Sequence, residues 1–487
     1  TEEGDMRLVK VICLVLLPAL LFGCAPPQYD LGIVAGTLID GTGAEPKHDV
    51  LILVNGNTIQ AIRPKSELDS HRLRRLIAAA DKYLIPGLFD MHGHVTMSHR
   101  EAAINNGQIQ RTVTFRRDVA EWMLRQLLAY GITTVRETGD ILEEGLQLKA
   151  DLIAGSIPGP RMFTCGPLIE GAPRLFLTLS TVVSSEEEAR TEVRRQIEAG
   201  VDFLKIYASL PPDLAKIVVE EAHHNNIRVL AHLGATTWKQ AVEMGMDGIV
   251  HSHNATPRDI LTEDQLAKVK DLPSRQRSLV TYKLFDPAAE PAQELFQMMR
   301  IKKVANDPTI VVLRNYLADS TFLAEEQGEE MKAVPPYMMA GWKQVLPVTG
   351  PKSKAESERF LQEGIRNLMS FVKAEYEAGV PILAGSDFAN PNTIPGLGLH
   401  QELELLVQAG IPPMAVLKMA THDAGEWLGI LDEVGTVEEG KQADLVILDN
   451  DPLKNIRHTR EIFSVIQAGQ VIDRNGLLHS ELAGQGR

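Results

Sequence analysis

The sequence predicts an α/β fold, a (β/α)8 barrel over residues 86–430 with a small β-sandwich built from both ends of the chain, residues 29–85 and 431–478. Three observations predict it. Through the middle of the chain, short apolar runs alternate with helix-length patterns, the signature of parallel strands joined by crossover helices. The two ends share another texture, short apolar runs broken by Gly, Asn and Asp turn signals. The length, 487 residues, exceeds what one hydrophobic core usually serves, so a barrel with an added domain is the natural division.

The first segment carries an address. Met6-Arg-Leu-Val-Lys10 is short and basic, and residues 11–22 form an apolar run of signal length, too short for a comfortable membrane span. The acidic Thr1-Glu-Glu-Gly-Asp5 is foreign to a signal n-region and marks Met6 as the expected start. The run ends in Leu21-Phe22-Gly23-Cys24, which resembles the lipobox of bacterial lipoproteins, with Phe22 where a small residue is usual. Residues 1–24 are therefore expected to be a signal segment with Cys24 as the lipid site, plain cleavage being the alternative. This reading makes the protein exported to a bacterial cell envelope, lipid-anchored or periplasmic, touching the membrane only through that anchor. Of Cys13, Cys24 and Cys165 only Cys165 lies in the mature body, so no intrachain disulfide is expected.

Residues 25–28 read as a linker, and β-like runs follow at 33–34, 50–54 and 58–62; the same texture returns at 443–448 and 462–466. Between them eight runs are expected as barrel strands: 88–92, 133–136, 161–165, 203–207, 228–232, 248–251, 309–313 and 381–387. The helix between the third and fourth starts after Ser184-Ser185, which suit an N-cap, and ends at Gly200. The connection before the seventh run is long and polar, with room for substrate-covering structure. In such a barrel the active site lies at the C-terminal ends of the strands.

Composition is ordinary for a globular protein, 44% hydrophobic and 23% charged. The net charge of −15, with no Lys/Arg run, argues against a nucleic-acid partner, and solubility is its plain meaning. A homo-oligomer is compatible with all of this.

His92 and His94 are two apart, so in a strand both imidazoles project to one face and can share a metal. Alone, this is also what two ordinary polar residues look like. Four other expected strands add metal-capable groups: Lys205 in the fourth, His232 closing the fifth, His251 closing the sixth and Asp387 closing the eighth. Imidazole and carboxylate suit zinc and similar divalent ions. Tyr207, two after Lys205, shares its side of the strand and suits a substrate oxygen or carboxylate, or a core position. Arg136 ends the second strand beside Glu137, as a carboxylate anchor or a structural ion pair. His400 follows the eighth strand as a supporting or capping residue; His99 and His253 lie near the motifs, and His223, His224, His422 and His458 read as surface or packing residues.

With these residues in view, the chain resembles the amidohydrolase superfamily, near its prolidase-like and imidazolonepropionase-related branch. The resemblance rests on Pro86-Gly-Leu-Phe-Asp-Met-His-Gly-His94, Gly131-Ile-Thr-Thr-Val-Arg136, Gly245-Met-Asp-Gly-Ile-Val-His251, Gly385-Ser-Asp387 and the stretch from Gly435 to Asp449. It implies a TIM-type barrel in which His92, His94 and Asp387 hold one metal ion and His232 and His251 a second. It also implies that Lys205, carboxylated by CO2, bridges the pair; an uncarboxylated, salt-bridged Lys205 would leave a single ion. Asp387 would move protons between the attacking water and the leaving nitrogen. The implied activity is amide hydrolysis by metal-activated water on a dipeptide-like (Xaa-Pro type) or N-acyl-amino-acid substrate. Ring opening of a cyclic amide, or lactone or ester hydrolysis, is the nearest alternative, and a binding protein on the same scaffold the remote one.

Overall fold

The computed structural model describes residues 29–252, 259–272, 274–318, 320–349 and 353–479. The expected signal segment with Cys24, and His253, lie outside the described residues. The first four strands are β1 (Tyr29–Leu38), β2 (Lys47–Asn55), β3 (Thr58–Pro64) and β4 (Leu73–Pro86). Strands β5 (Leu88–Gly93), β6 (His99–Asn105), β7 (Gln108–Thr114), β8 (Ile132–Glu137) and β9 (Arg161–Thr164) follow. Then come β10 (Leu168–Glu170), β11 (Ser180–Val182), β12 (Phe203–Ile206), β13 (Arg228–Ala231), β14 (Gly248–Val250) and β15 (Ala305–Asp307). The chain ends with β16 (Leu445–Leu448), β17 (Ile462–Gln467) and β18 (Gln470–Val471).

The N-terminal strands and the C-terminal ones join in one seven-stranded sheet, ordered β18-β17-β16-β4-β1-β2-β3. Its inner residues, among them Ile33, Ile52, Val54, Leu445 and Ile447, form a core of their own. β1 pairs with β4 in parallel, and their register shifts between Ala35 and Thr37. Gly36 sits in that shift, where a Cβ would lie 2.4 Å from the Ala80 carbonyl oxygen, so only glycine permits the approach.

The middle of the chain is an α/β fold with parallel sheets: β5-β8-β9, and β11-β10-β12-β13-β14-β15. β5, β8 and β12 are buried along their whole length, as strands covered on both faces must be. Backbone hydrogen bonds connect the sheets at their edges. Asp202 N donates to Thr164 O at 2.8 Å on one side. On the other, residues 381–387 run between β15 and β5, with Leu383 N to Asn306 O at 2.9 Å, Met91 N to Ala384 O at 2.9 Å and Asp387 N to His92 O at 2.8 Å. The helix Glu186–Ala199 forms as expected: Ser185 accepts the Glu188 amide, and Gly200 ends it at φ 98°.

The seventh strand is corrected. The expected run 309–313 is not a strand; β15 lies earlier, and residues Ile310–Leu317 are helical. The Glu402 carboxylate accepts the Ile310 and Val311 amides at 3.0 and 2.7 Å, satisfying a helix N-terminus that the β-branched run alone would not form. Ala305-Asn-Asp307 carries no apolar signal, yet it is buried because its polar groups find partners: Asn306 Nδ2 donates to Ser252 Oγ and Glu375 Oε2 at 2.7 and 2.8 Å.

The contact of residues 381–387 with β5 depends on small residues. At Gly385 a Cβ would lie 2.7 Å from His92 Cβ and 2.9 Å from His92 N. Gly385→Ala is expected to cost about 1–3 kcal/mol through overpacking against a backbone that cannot move aside. A lower denaturation midpoint in calorimetry would register this; an unchanged midpoint would show that the seam is looser than these distances imply.

Candidate metal centre and active site

β5 alternates Asp90, His92 and, just past its end, His94 on one face, and each does a different job. Asp90 is the deepest. Its carboxylate accepts the Ser386 amide at 2.9 Å, the Ser386 hydroxyl at 2.6 Å and the His92 amide at 3.2 Å, which fixes the 386–387 backbone against the strand. His92 is fully buried, and its Nδ1 lies 3.1 Å from Asp307 Oδ1. Its Nε2 points toward Asp387 Oδ1 at 3.6 Å and is a buried atom with no hydrogen-bond partner. His94 Nδ1 is 3.3 Å from the Gly139 carbonyl and its Nε2 is 3.1 Å from Asp387 Oδ1.

The other expected residues converge on the same place. The His251 ring lies 4.5 Å from His92 and 4.8 Å from His232, and Tyr207 stacks at 4.4 Å on His232. His251 Nδ1 contacts Thr309 Oγ1 at 2.7 Å and lies 3.8 Å from Asp387 Oδ2. His251, just past β14, and Asp387, at the end of the 381–387 run, both adopt left-handed backbone, φ 67° and 56°. That conformation is costly for residues other than glycine and clusters at functional sites. Asn390 Nδ2 donates to Asp387 Oδ1 at 2.6 Å and orients the carboxylate.

His94, Lys205, Tyr207, His232, His251 and Asp387 all line one cavity of about 380 Å³. Arg136 and His400 are not in its lining. Arg136 is 1% exposed, donates from Nε to Met91 O at 2.6 Å, pairs with Asp307 and lies over the Trp427 ring at 4.4 Å. It is thus the structural ion pair of the two expected alternatives, with Asp307 as partner in place of the neighbouring Glu137. His400 is held between Thr459 Oγ1 and the Tyr130 carbonyl, each at 2.9 Å, within the helix Leu397–Gln408. His99 bonds the Tyr337 carbonyl at 2.9 Å.

The electrostatics follow from burial among charges. Burial, with the Lys205 charge next, drives His92 far below the ordinary histidine range, so it is a neutral ligand-type imidazole. Burial also opposes protonation of His94, but the Asp387 and Glu137 carboxylates outweigh it and raise its pKa to about 9. A proton is held there where a cation between the carboxylates would serve. Burial draws Lys205 down to about 8, toward the neutral amine. Burial raises Asp307 to about 8 despite Arg136 and Lys205 beside it.

These residues fit a divalent ion. Ligand atoms of His92, His94 and Asp387 lie within 4.8 Å of one another, as do those of His92, His251 and Asp307. The donors are imidazole and carboxylate, and the partnerless His92 Nε2 is aimed into the cluster. Sequence reasoning missed Asp90, Asp307 and Glu137, which support this set. Asp90 had a signal, being in the same two-residue alternation as His92 and His94. Glu137, whose carboxylate accepts the Val95 amide, adjoins the noted Arg136. Asp307 had none, because its strand was read in the wrong place.

Comparison with known proteins agrees with this picture. The amidohydrolase family pattern matches residues 83–473. Ochratoxinase from Aspergillus niger is 22% identical over 475 aligned positions, covering 88% of this chain and 83% of its own. An imidazolonepropionase from Shouchella clausii is 29% identical over 110 positions, 22% of this chain and 24% of its own. Among solved structures, a Xaa-Pro dipeptidase with bound methionine superposes with a TM-score of 0.65 at 22% identity, covering 91% of this chain and 99% of that one. At that identity the structural likeness speaks for the fold alone. The family match spans every residue that lines the cavity, and the chain therefore belongs to the amidohydrolase family and is a hydrolase.

Proposed function

We propose that this protein is an exported metal-dependent amidohydrolase that cleaves the amide of a dipeptide-like (Xaa-Pro type) or N-acyl-amino-acid substrate. The observation that carries this reading is the convergence of His94, Lys205, His232, His251 and Asp387 on one cavity, with His92 buried against His251 and Asp387. In this reading residues 381–387 are the eighth strand of a (β/α)8 barrel, and the terminal sheet is its small companion domain.

His92, His94 and Asp387 would hold one divalent ion, zinc by the nature of the donors, and His232 and His251 the second, with carboxylated Lys205 between them. When bound, such an ion supplies Lewis acidity to the carbonyl and brings the pKa of water near neutrality. The remaining work falls to side chains. Asp387, held by Asn390, takes the proton of the attacking water and delivers it to the leaving nitrogen, so that hydroxide adds to the acyl carbon, the C–N bond breaks and the amine departs. Tyr207, packed on His232, is in place to hold a substrate oxygen. Asp307 and Glu137 grip the imidazoles from behind, and Arg136 and His400 act as supports.

Chelation should abolish hydrolysis of Xaa-Pro dipeptides and N-acyl amino acids, and zinc or manganese should restore it. Elemental analysis in bicarbonate should find two ions per chain. Lys205→Ala should lower the metal content and reduce kcat/KM by at least about 100-fold, the upper limit for loss of a group that merely supports a ligand. Turnover confined to hydantoins or lactones in the same panel would overturn the substrate reading, and full activity in a chelator the metal reading.

Export and lipidation make a separate prediction. Expressed in a bacterium with residues 1–24 intact, the protein should sediment with membranes and incorporate labelled palmitate. Cys24→Ala should lose the label and appear in the soluble fraction. Label retained by that variant would show that Cys24 is not the lipid site.

A further inference from the structure

Strands β6 and β7 form a two-stranded hairpin after the first barrel strand, and their register pairs Arg100 with Val113 and Ala102 with Arg111. Opposed residues share a face, and so do residues two apart, so the Arg100 and Arg111 side chains lie on one face of the hairpin. Both line the active-site cavity. No salt bridge to either guanidinium is present among the described residues. Arg100 is only 7% exposed; it donates from Nη1 to Asn390 Oδ1, and its buried Nε has no hydrogen-bond partner. Arg111 lies over the Phe176 ring at 5.4 Å. The hairpin is firmly seated: at Gly341, in the helix Pro336–Thr349, a Cβ would lie 2.8 Å from the Arg100 amide nitrogen, so helix and strand pack in direct contact.

A buried guanidinium without a carboxylate is costly, and in a binding cavity the missing anion is supplied by the ligand. We propose that Arg100 and Arg111 are the carboxylate-recognition site of this active centre, restricting it to amides whose amine portion bears a free carboxylate. The location fits the chemistry. Arg100 bonds Asn390, which bonds Asp387 in turn, so a carboxylate on Arg100 lies one side chain away from the group that protonates the leaving nitrogen. The same cavity is lined by Val312, Leu313, Phe360 and Leu368, which suit a hydrophobic group on the substrate. Two guanidiniums in a cavity otherwise rich in hydrocarbon select an acidic, otherwise apolar molecule.

The proposal rests on amide hydrolysis at this cavity, and its test separates the two. Metal-loaded full-length protein is assayed on N-benzoyl-L-phenylalanine, N-acetyl-L-leucine and L-leucyl-L-proline, each as free acid and as C-terminal carboxamide, with the released amine measured by mass spectrometry. The free acids should have kcat/KM about tenfold or more above the carboxamides, mainly through KM, because a charge-assisted pair is lost with the carboxylate. Arg111→Gln and Arg100→Gln should bring that ratio toward one, and Arg111→Lys should retain part of it. Thermal midpoints report whether the variants fold; should Arg100→Gln fail to, the more exposed Arg111 carries the test. Equal rates on acids and carboxamides, or a preference that survives Arg111→Gln, would overturn the recognition site while amide hydrolysis stands. No turnover of any pair would remove the hydrolytic reading and the recognition site with it.

Discussion

The Asp90 carboxylate joins two stretches of chain 296 positions apart by accepting both the amide and the hydroxyl of Ser386, while also accepting the amide of His92. Burial pushes its pKa up to about 7, and its hydrogen bonds from Ser386 and His92 work against that rise. Because a buried acceptor left unmet costs about 1–3 kcal/mol, these bonds define the register of the seam as well as its strength. The Asp387 amide then reaches the His92 carbonyl, the chain turns left-handed at Asp387, and that carboxylate arrives opposite both histidines of the first strand. A shift of one residue would turn Asp387 to the other face.

The two histidines are held in the same way. His92 is engaged at Nδ1 by Asp307, and His94 at Nδ1 by the Gly139 carbonyl, with Glu137 3.8 Å away. Both Nε2 atoms are left facing Asp387. Partners of this kind set the tautomer and orientation of a ligand before any ion arrives. Asp307 is itself anchored by Arg136, which is wedged between the Met91 carbonyl and the Trp427 ring. Buried ion pairs are weak sources of stability because desolvation offsets most of their attraction. Here the pair secures the position of His92.

The sequence showed the chemistry more clearly than its support. His92, His94, His232, His251 and Asp387 were legible because they close apolar runs, and strand ends are where a barrel presents its reactive groups. Lys205 stood out by its place in the fourth run, and Tyr207 followed from it by the two-residue period. The terminal strands were legible as strands, but turn signals do not say how strands order themselves, so the parallel pairing of β1 with β4 and the place of β16 beside β4 were not. Asp307 and Asn306 were illegible for a physical reason: a buried strand whose side chains are polar and held by internal partners such as Ser252, Glu375 and Arg136 leaves no apolar trace. Arg100 and Arg111 were illegible because a hairpin face is decided by register, which becomes visible only when both strands are paired.

The misread run at 309–313 and the lining of the cavity are connected. As a strand, Thr309-Ile-Val-Val-Leu313 would send alternate residues to opposite faces and leave few for the cavity. As a helix held at its N-terminus by Glu402, the segment Ile310–Leu317 turns Val312, Leu313, Tyr316 and Leu317 toward the cavity while Ile310 and Val311 enter the core. The arginine-bearing hairpin likewise comes from the connection that follows a strand carrying the metal-ligand candidates. Strand ends and their buried carboxylates determine what can be done to a bond, and the connections between strands determine which molecule is brought to it. One connection brings Arg100 and Arg111 and another brings Val312, Leu313 and Leu317 to the lining of the same cavity of about 380 Å³, so its chemical character comes from segments that the strands only position.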